Sequence, residues 1–275
     1  VFDSPRDRIV WDTGHQAYVH KMLTGRAGEF TSLRTEGGLS GYPSRAESEH
    51  DWVENSHAST SISYADGMAK ANQLLGRDDH VVAVIGDGAM TGGMAWEALN
   101  NVAADDDRRL VVVVNDNGRS YAPTVSKLSE SLVKIRNNPT YMRRQAKIEE
   151  IAERIPWVGE QIGRGVKMSK AAIREMWEPS AFFEDLGVRY MGPFDGHDIA
   201  SIEEALHNAA GFDGPVVVHV LTQKGRGYAP AEQDDVKNMH DAKPGLADTD
   251  SLKEGSYTAA FSETLALAVV VSKGI

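Results

Sequence analysis

Residues 86–117 read GDGAMTGGMAWEALNNVAADDDRRLVVVVNDN, and the way this stretch begins and ends decides the fold. The apolar run His80–Ile85 leads into it and stops at Gly86-Asp87-Gly88. A helix-like segment follows, then a charged turn at Asp105–Arg109. A second apolar run, Leu110–Val114, ends in Asn115-Asp116-Asn117. Both runs are short and β-branched, as suits buried parallel strands. In a β-α-β unit the carboxyl ends of two such strands lie on one edge of the sheet. Asp87 and Asn117 are therefore expected to face one crevice. An acid and an amide are hard oxygen ligands of the kind Mg²⁺ prefers, and phosphate oxygens and water usually complete its octahedron. Gly86 and Gly88 would let backbone N–H groups approach a diphosphate, and the next helix N-terminus would favour its charge. The bland alternative is a strand–turn–helix in which Asp87 only caps the helix. An NDN triplet separated from the GDG by 26 residues, after a second strand, favours the metal–diphosphate reading.

Composition narrows the remaining possibilities. The chain has 275 residues, enough for one large α/β domain or one domain and part of another, and its 41% hydrophobic content supports a sizeable core. A net charge of −11 argues against a nucleic-acid partner. It does not exclude a phosphorylated substrate, because a local Lys/Arg cluster can override the global sign. With no cysteine there is no disulfide framework, thiol nucleophile or thiolate metal site. No apolar stretch reaches membrane-spanning length and no signal peptide is evident, so a cytoplasmic setting without membrane attachment is expected. The start VFDSPRDRIVWD lacks Met, and the end lies within an apolar, helix-like segment, Tyr257–Val271. A fragment of a longer chain is expected.

Outward from the centre, the same strand-then-polar-loop pattern recurs. Arg8–Asp12 is a short strand candidate followed by Thr13-Gly14-His15-Gln16 and a helix-like stretch, Ala17–Leu23, that stops before Gly25. His15 lies just beyond a strand end, where polar groups enter a ligand crevice. It could donate to a phosphate, act in proton transfer, or only bond the turn. His20 has no such placement and reads as structural. Gly37–Glu49 is a glycine-rich polar loop. Ala58–Leu75 reads as a helix rich in small residues, with His57 at its N-terminus, where it could meet a phosphate or serve as a cap. Beyond the centre, residues 126–176 read as a broken helical excursion. Phe182–Leu186 ends a helix, and Val188–Gly192 is a strand running to Asp195-Gly196-His197-Asp198. Ile199–Ala210 is an amphipathic helix, and Pro215–Thr222 is a strand running to Gln223-Lys224-Gly225-Arg226-Gly227-Tyr228. Lys224 could stabilise an anion and Tyr228 could pack on a cofactor, or both could lie in a solvated loop. Ala231–Thr249 is polar and reads as a linker. The fold expected is α/β, a parallel sheet with helices on both faces.

The GDG…NDN element resembles the thiamine-diphosphate motif of the transketolase-like enzymes. The runs WDTGHQAYVHKMLTGR, ESEHDW…HASTSIS, GDGAMTGGMAWEALNN, VVNDNGRSYAPT, FEDLGVRYMGPFDGHD and TQKGRGYAPAE are similar to 1-deoxy-D-xylulose-5-phosphate synthases, and several resemble the actinobacterial branch. These motifs span residues 9 to about 240. Transketolase shares the GDG…N element without the DGHD or KGRGY stretches. The resemblance implies a thiamine-diphosphate-binding fold. It implies an enzyme that joins pyruvate to glyceraldehyde 3-phosphate with loss of CO₂, giving 1-deoxy-D-xylulose 5-phosphate for isoprenoid, thiamine and pyridoxal synthesis. It also implies a homodimer. Carried over by motif, Asp87, Asn117 and the backbone carbonyl of Arg119 are expected to hold Mg²⁺. Gly88 and Ala89 would meet the diphosphate. Ser56, His57 and Ala58 match a cofactor-contacting tripeptide, with Ser56 where the family usually has glycine. His15 would sit near cofactor and substrate, Tyr228 matches a cofactor contact, and Lys224 is in register with a possible catalytic role.

The division implied is a diphosphate-binding domain over 1–240 with the helical insertion 126–176, a linker over 241–255, and the start of a pyrimidine-binding domain over 256–275. On that division the glutamate that activates the aminopyrimidine lies beyond Ile275. Two other readings stay open: a transketolase-like subunit that completes its site with a partner chain, and a non-catalytic Mg²⁺–diphosphate module. Donor preference, pyruvate against a ketose phosphate, separates the first from the synthase. Turnover by this chain alone is expected to be weak or nil. Joining a pyrimidine domain should restore cofactor-dependent turnover, and a joined protein that stays inactive counts against the division.

Overall fold

The computed structural model describes residues 1–14, 16–118, 181–234, 238–240 and 264. Five strands form one all-parallel sheet: β1 (Arg8–Trp11), β2 (Val81–Gly86), β3 (Leu110–Asp116), β4 (Arg189–Asp195) and β5 (Val216–Leu221). Their order across the sheet is β1-β2-β3-β5-β4. The register pairs Gly86 with Asn115 and Asp116 with Leu221, so the GDG, NDN and Gln223–Tyr228 segments all leave one edge. Every apolar run read as a strand is one, to within three residues at either end. The main differences are that β3 carries Asn115 and Asp116 into the strand and that β4 runs on through Pro193, Phe194 and Asp195.

Among the described residues the α-helices are α1 (Gln16–Lys21), α2 (Ser61–Leu75), α3 (Gly93–Val102), α4 (Ala181–Asp185), α5 (Ile199–Ala210) and α6 (Ala229–Glu232). Strand residues alternate between two cores, since successive side chains point to opposite faces. Val81, Ala83, Ile85, Val112 and Val114 pack with Ile62, Ala65 and Ala69 of α2 and Ala95, Leu99 and Val102 of α3. Val82, Val111, Val216, Val218 and Val220 pack with Ala205 and Ala209 of α5. Helices therefore cover both faces. The small residues of α2 serve this packing: Ser61, Ala65 and Ala69 are buried, while Ser63, Gly67 and Ala71 look outward. No helix among the described residues is long and apolar enough to cross a membrane. The expected α/β fold, a parallel sheet with helices on both faces, is thus in place, while the insertion 126–176 and the segments 241–255 and 256–275 lie outside the described residues, Thr264 aside.

α1 stops at Lys21, and a wide turn over Met22–Arg26 takes it to the loop that follows; Gly25 there adopts φ 94°. His20 is structural, as its position suggested. It sits in a buried ionic network with Lys21, Arg26, Glu47 and Asp51. Arg26 grips Asp51 with two parallel bonds of 2.7 and 2.9 Å, and His20 Nε2 lies 2.7 Å from the same carboxylate. Backbone N–H groups of Ser40 and Ser44 donate to Glu47 and Asp51, which pins the glycine-rich loop to α1. Burial alone would raise the Asp51 pKa. Hydrogen bonds from His20, Arg26 and the Ser44 amide, with the charge of Arg26, more than reverse this and hold it well below the ordinary value. A lowered native pKa gives stability that is complete above the unfolded value near 3.9 and is lost as pH falls below it. Asp51→Asn should cost about 3–5 kcal/mol at neutral pH. Urea unfolding from pH 7 to 3 should show the wild-type advantage shrinking over the acid end of that range.

Candidate functional site

β1 ends at Trp11, and the next residue, Asp12, is fully buried. Its carboxylate accepts three backbone N–H bonds of 2.9 Å, from Thr13, Ser59 and Ser61. Asp12 therefore caps the N-terminus of α2 from a neighbouring strand, and its charge matches the positive end of that helix. Asn55 reinforces the join by donating to the carbonyl of Trp11 at 2.9 Å and by accepting from the Thr60 hydroxyl. Ser59 is held in the left-handed region at φ 74°, and its hydroxyl donates to the carbonyl of Ala89 at 2.6 Å. A Cβ at Gly92 would stand 2.0 Å from the Ser59 Oγ, so glycine is needed for this approach. Three strand-end loops, after β1, before α2 and after β2, are bound into one unit.

These bonds shift α2 from its expected start. The helix begins at Ser61 with Thr60 as its cap, because the chain turns at Ser59. His57 is thus not at the helix N-terminus, and Asp12 already occupies that positive end. Ser56 and His57 are exposed and Ala58 is half-buried. His57 Nδ1 lies 2.7 Å from the Ala58 carbonyl, which can only accept, so Nδ1 carries the proton and Nε2 is the lone-pair nitrogen of the neutral ring.

Asp87 follows β2 directly, and its backbone N–H donates to the carbonyl of Asn115 at 3.2 Å. Its Oδ1 accepts from the backbone N–H of Asn117 at 3.4 Å, so the two expected metal ligands do meet across adjacent strand ends. Both are buried. A three-residue turn, Ala89–Thr91, which Gly88 precedes, then leads through Gly92 into α3. At Gly86 an added Cβ would meet only the Asn115 carbonyl, at 4.0 Å, so chain packing does not demand a glycine there. Arg119 and His15 lie outside the described residues.

On the far side of β3, the Thr222 backbone N–H donates to the Asp116 carbonyl at 2.8 Å, and its hydroxyl to Asn115 Oδ1 at 2.7 Å. These bonds start the Gln223–Tyr228 loop at the same edge. The loop is anchored: Gln223 N–H donates to His197 Nε2 at 2.8 Å, and a Cβ at Gly225, φ 79°, would stand 2.7 Å from the Ala231 Cβ. Lys224 is half-buried and its Nζ contacts His240 Nδ1. Tyr228 is 58% exposed beside α6. Residues read as linker, from Ala231 to His240, therefore pack back on this loop where they are described. Asp12, Ser59 and His240 escaped the sequence reading. Asp12 alone left a signal there, an acid closing a strand.

Among the described residues no cluster of three or more His, Cys, Asp or Glu could hold a metal by itself. A cation here would need oxygens from Asn117, the backbone and a bound phosphate besides Asp87. That donor set fits magnesium with a diphosphate.

A family model described as 1-deoxy-D-xylulose-5-phosphate synthase matches residues 1–222. The 1-deoxy-D-xylulose-5-phosphate synthase of Frankia casuarinae is 54% identical over 271 residues, which is 96% of this chain and 41% of that protein. The Rhodococcus jostii protein of the same name is 58% identical over 240 residues, 87% of this chain and 37% of that protein. A transketolase from Leishmania mexicana is similar in structure, with a TM-score of 0.53 at 19% identity over 78% of this chain and 28% of its own; this likeness speaks for the fold. The chain belongs to the 1-deoxy-D-xylulose-5-phosphate synthase family, and it spans about two fifths of the length of these curated relatives. Because the site hangs on Asp12, Asp12→Ala should destabilise the chain by about 2 kcal/mol or more, with Asp12→Asn milder since its amide oxygen still accepts. Denaturant unfolding of the two variants checks this.

Proposed function

We propose that this chain supplies the magnesium–diphosphate half of a thiamine-diphosphate site in a synthase that condenses pyruvate with glyceraldehyde 3-phosphate, releasing CO₂ and forming 1-deoxy-D-xylulose 5-phosphate. The observation that carries the proposal is the meeting of Asp87 and Asn117 at the ends of β2 and β3, with Asp87 Oδ1 accepting the Asn117 N–H. Membership of the family supports the reaction. When bound, thiamine diphosphate supplies a nucleophilic carbon and an electron sink.

The residues have distinct duties in this reading. The Asp87 carboxylate, the Asn117 side chain and the Arg119 carbonyl hold Mg²⁺. Backbone groups of Gly88 and Ala89, in the turn that leads into α3, face the diphosphate, and the α3 N-terminus beyond them favours negative charge. The room left at Gly86 lets a ligand approach the backbone. His57, protonated on Nδ1 toward Ala58, presents Nε2 as an acceptor, and Ser56 and Ala58 flank it. His15 and Lys224 handle protons or anionic charge near the substrate, and Tyr228 packs on the cofactor. Lys224 in contact with His240 has a partner through which a proton can pass.

The same reading makes the enzyme a homodimer through α2. Its outward face carries Tyr64, Gly67, Ala71 and Leu74 at helical spacing, all exposed, and nothing lies within 4 Å of a Cβ placed at Gly67. A second copy of this small-residue stripe would allow close helix packing. The setting proposed is the cytoplasm.

Calorimetry tests the core of the proposal. Magnesium-dependent binding of thiamine diphosphate to the chain should be lost, by at least tenfold, in Asp87→Ala, with the melting temperature little changed. Equal binding by both proteins would refute it. Sedimentation of a Gly67→Trp variant checks the dimer separately: a shift to monomer is expected.

A further inference from the structure

Beneath the Asn117 turn lies a chain of polar side chains for which the proposed site gives no reason. Tyr190 of β4, His219 of β5 and Asp116 at the end of β3 are all buried, and they span three neighbouring strands. The Tyr190 hydroxyl lies 2.7 Å from His219 Nδ1, and His219 Nε2 lies 3.1 Å from Asp116 Oδ2. Asp116 Oδ1 accepts the backbone N–H of Gly118 at 2.9 Å. These bonds have one consistent direction. A carboxylate only accepts, so Nε2 of the neutral imidazole carries its proton; Nδ1 then accepts, and the tyrosine hydroxyl donates to it. Around them is an apolar layer: Tyr190 stacks on Phe183 at 5.6 Å, within the core beneath α2 and α3.

Burying a carboxylate, an imidazole and a phenol in an apolar layer costs stability unless each is bonded. Apolar side chains would fill the same space at less cost. The polar chain reaches the Gly118 amide, the first backbone group after Asn117, which an apolar one could not hold. The end of the relay thus fixes the turn whose Asn117 amide donates to Asp87.

We infer that Tyr190 and His219 are positioning residues for the metal site, acting through Asp116 to hold the Asn117–Gly118 turn in its ligating form. The inference rests on the magnesium–diphosphate reading of that site. It concerns the geometry of the turn and needs no change of protonation. Outer partners of metal ligands typically change affinity by about 10–100-fold when removed.

The test compares His219→Leu, which removes the donor, with His219→Gln, whose side-chain nitrogen can still reach Asp116. Tyr190→Phe removes one hydroxyl and keeps the packing, so it serves if His219→Leu does not fold. Two measurements are made on the whole chain: magnesium titration in the presence of thiamine diphosphate, and hydrogen exchange of the Gly118 amide in the metal-free protein. The expected result is at least tenfold weaker magnesium-dependent binding in His219→Leu, near-wild-type binding in His219→Gln, a smaller loss in Tyr190→Phe, and faster Gly118 exchange in step with each loss. Unchanged Gly118 exchange in both His219→Leu and Tyr190→Phe overturns the inference whatever the site binds. So does a glutamine variant as weak as the leucine one, which would mark His219 as packing only. A wild-type chain that binds no magnesium–thiamine diphosphate while these exchange effects hold overturns the reading of the site and keeps the relay as a brace for the turn.

Discussion

Asp12 places a negative charge inside the protein at the point where three loops converge, and three backbone amides neutralise it by hydrogen bonding. One of those amides, Ser61, opens α2 and another, Ser59, lies in the turn before it, so one carboxylate both closes β1 and orients the helix across it. Ser59 then passes the constraint on to the carbonyl of Ala89 and so to the loop after β2. The left-handed backbone at Ser59 is held by bonds on both its amide and its hydroxyl, so local strain is offset by surrounding structure. The GDG segment is consequently set from outside, by a residue about 75 positions earlier in the chain.

Electrostatics along this edge follow one scheme. Carboxylates close β1, β2 and β3, at Asp12, Asp87 and Asp116, and each sits where backbone N–H groups point outward at the strand ends. Asp12 and Asp116 are held by bonds of 2.9 Å to backbone amides, whereas the bond from Asn117 to Asp87 is longer, at 3.4 Å. Asp12 and Asp116 thus hold loops in place, and Asp12 already occupies the positive start of α2.

Much of this was legible in the sequence because it depends on local patterns. β-Branched runs ending in Gly-Asp-Gly, Asn-Asp-Asn and Lys-Gly-Arg-Gly-Tyr gave the strands and the shared edge, and the amphipathic period of Ile199–Ala210 gave that helix to the residue. The start of α2 was misplaced because the decisive partner, Asp12, lies far away in sequence, and propensity alone lets Ala58 begin a helix. Lys224 and Tyr228 were visible as loop residues, but the packing of His240 against Lys224 depends on a return of the chain that polar composition disguises as a linker. The Asp116–His219–Tyr190 chain joins residues on three strands, and His219 in a valine run reads from sequence as one polar residue in an apolar strand.

The strand order also bears on how the molecule is made. Among the described strands β5 is the last in the sequence, yet it lies between β3 and β4 and is the only neighbour of β4. During synthesis β3 therefore precedes its described partner β5 by about 100 residues, and β4 emerges before the described strand it pairs with. Such long-range parallel pairing is slow and leaves open edges that invite wrong partners. The insertion of β5 closes both edges at once and brings His219 between Tyr190 and Asp116. Assembly of the sheet and completion of the turn after β3 are thus a single late event, so a chain stalled before β5 holds most of the sheet's apolar residues but not the finished edge.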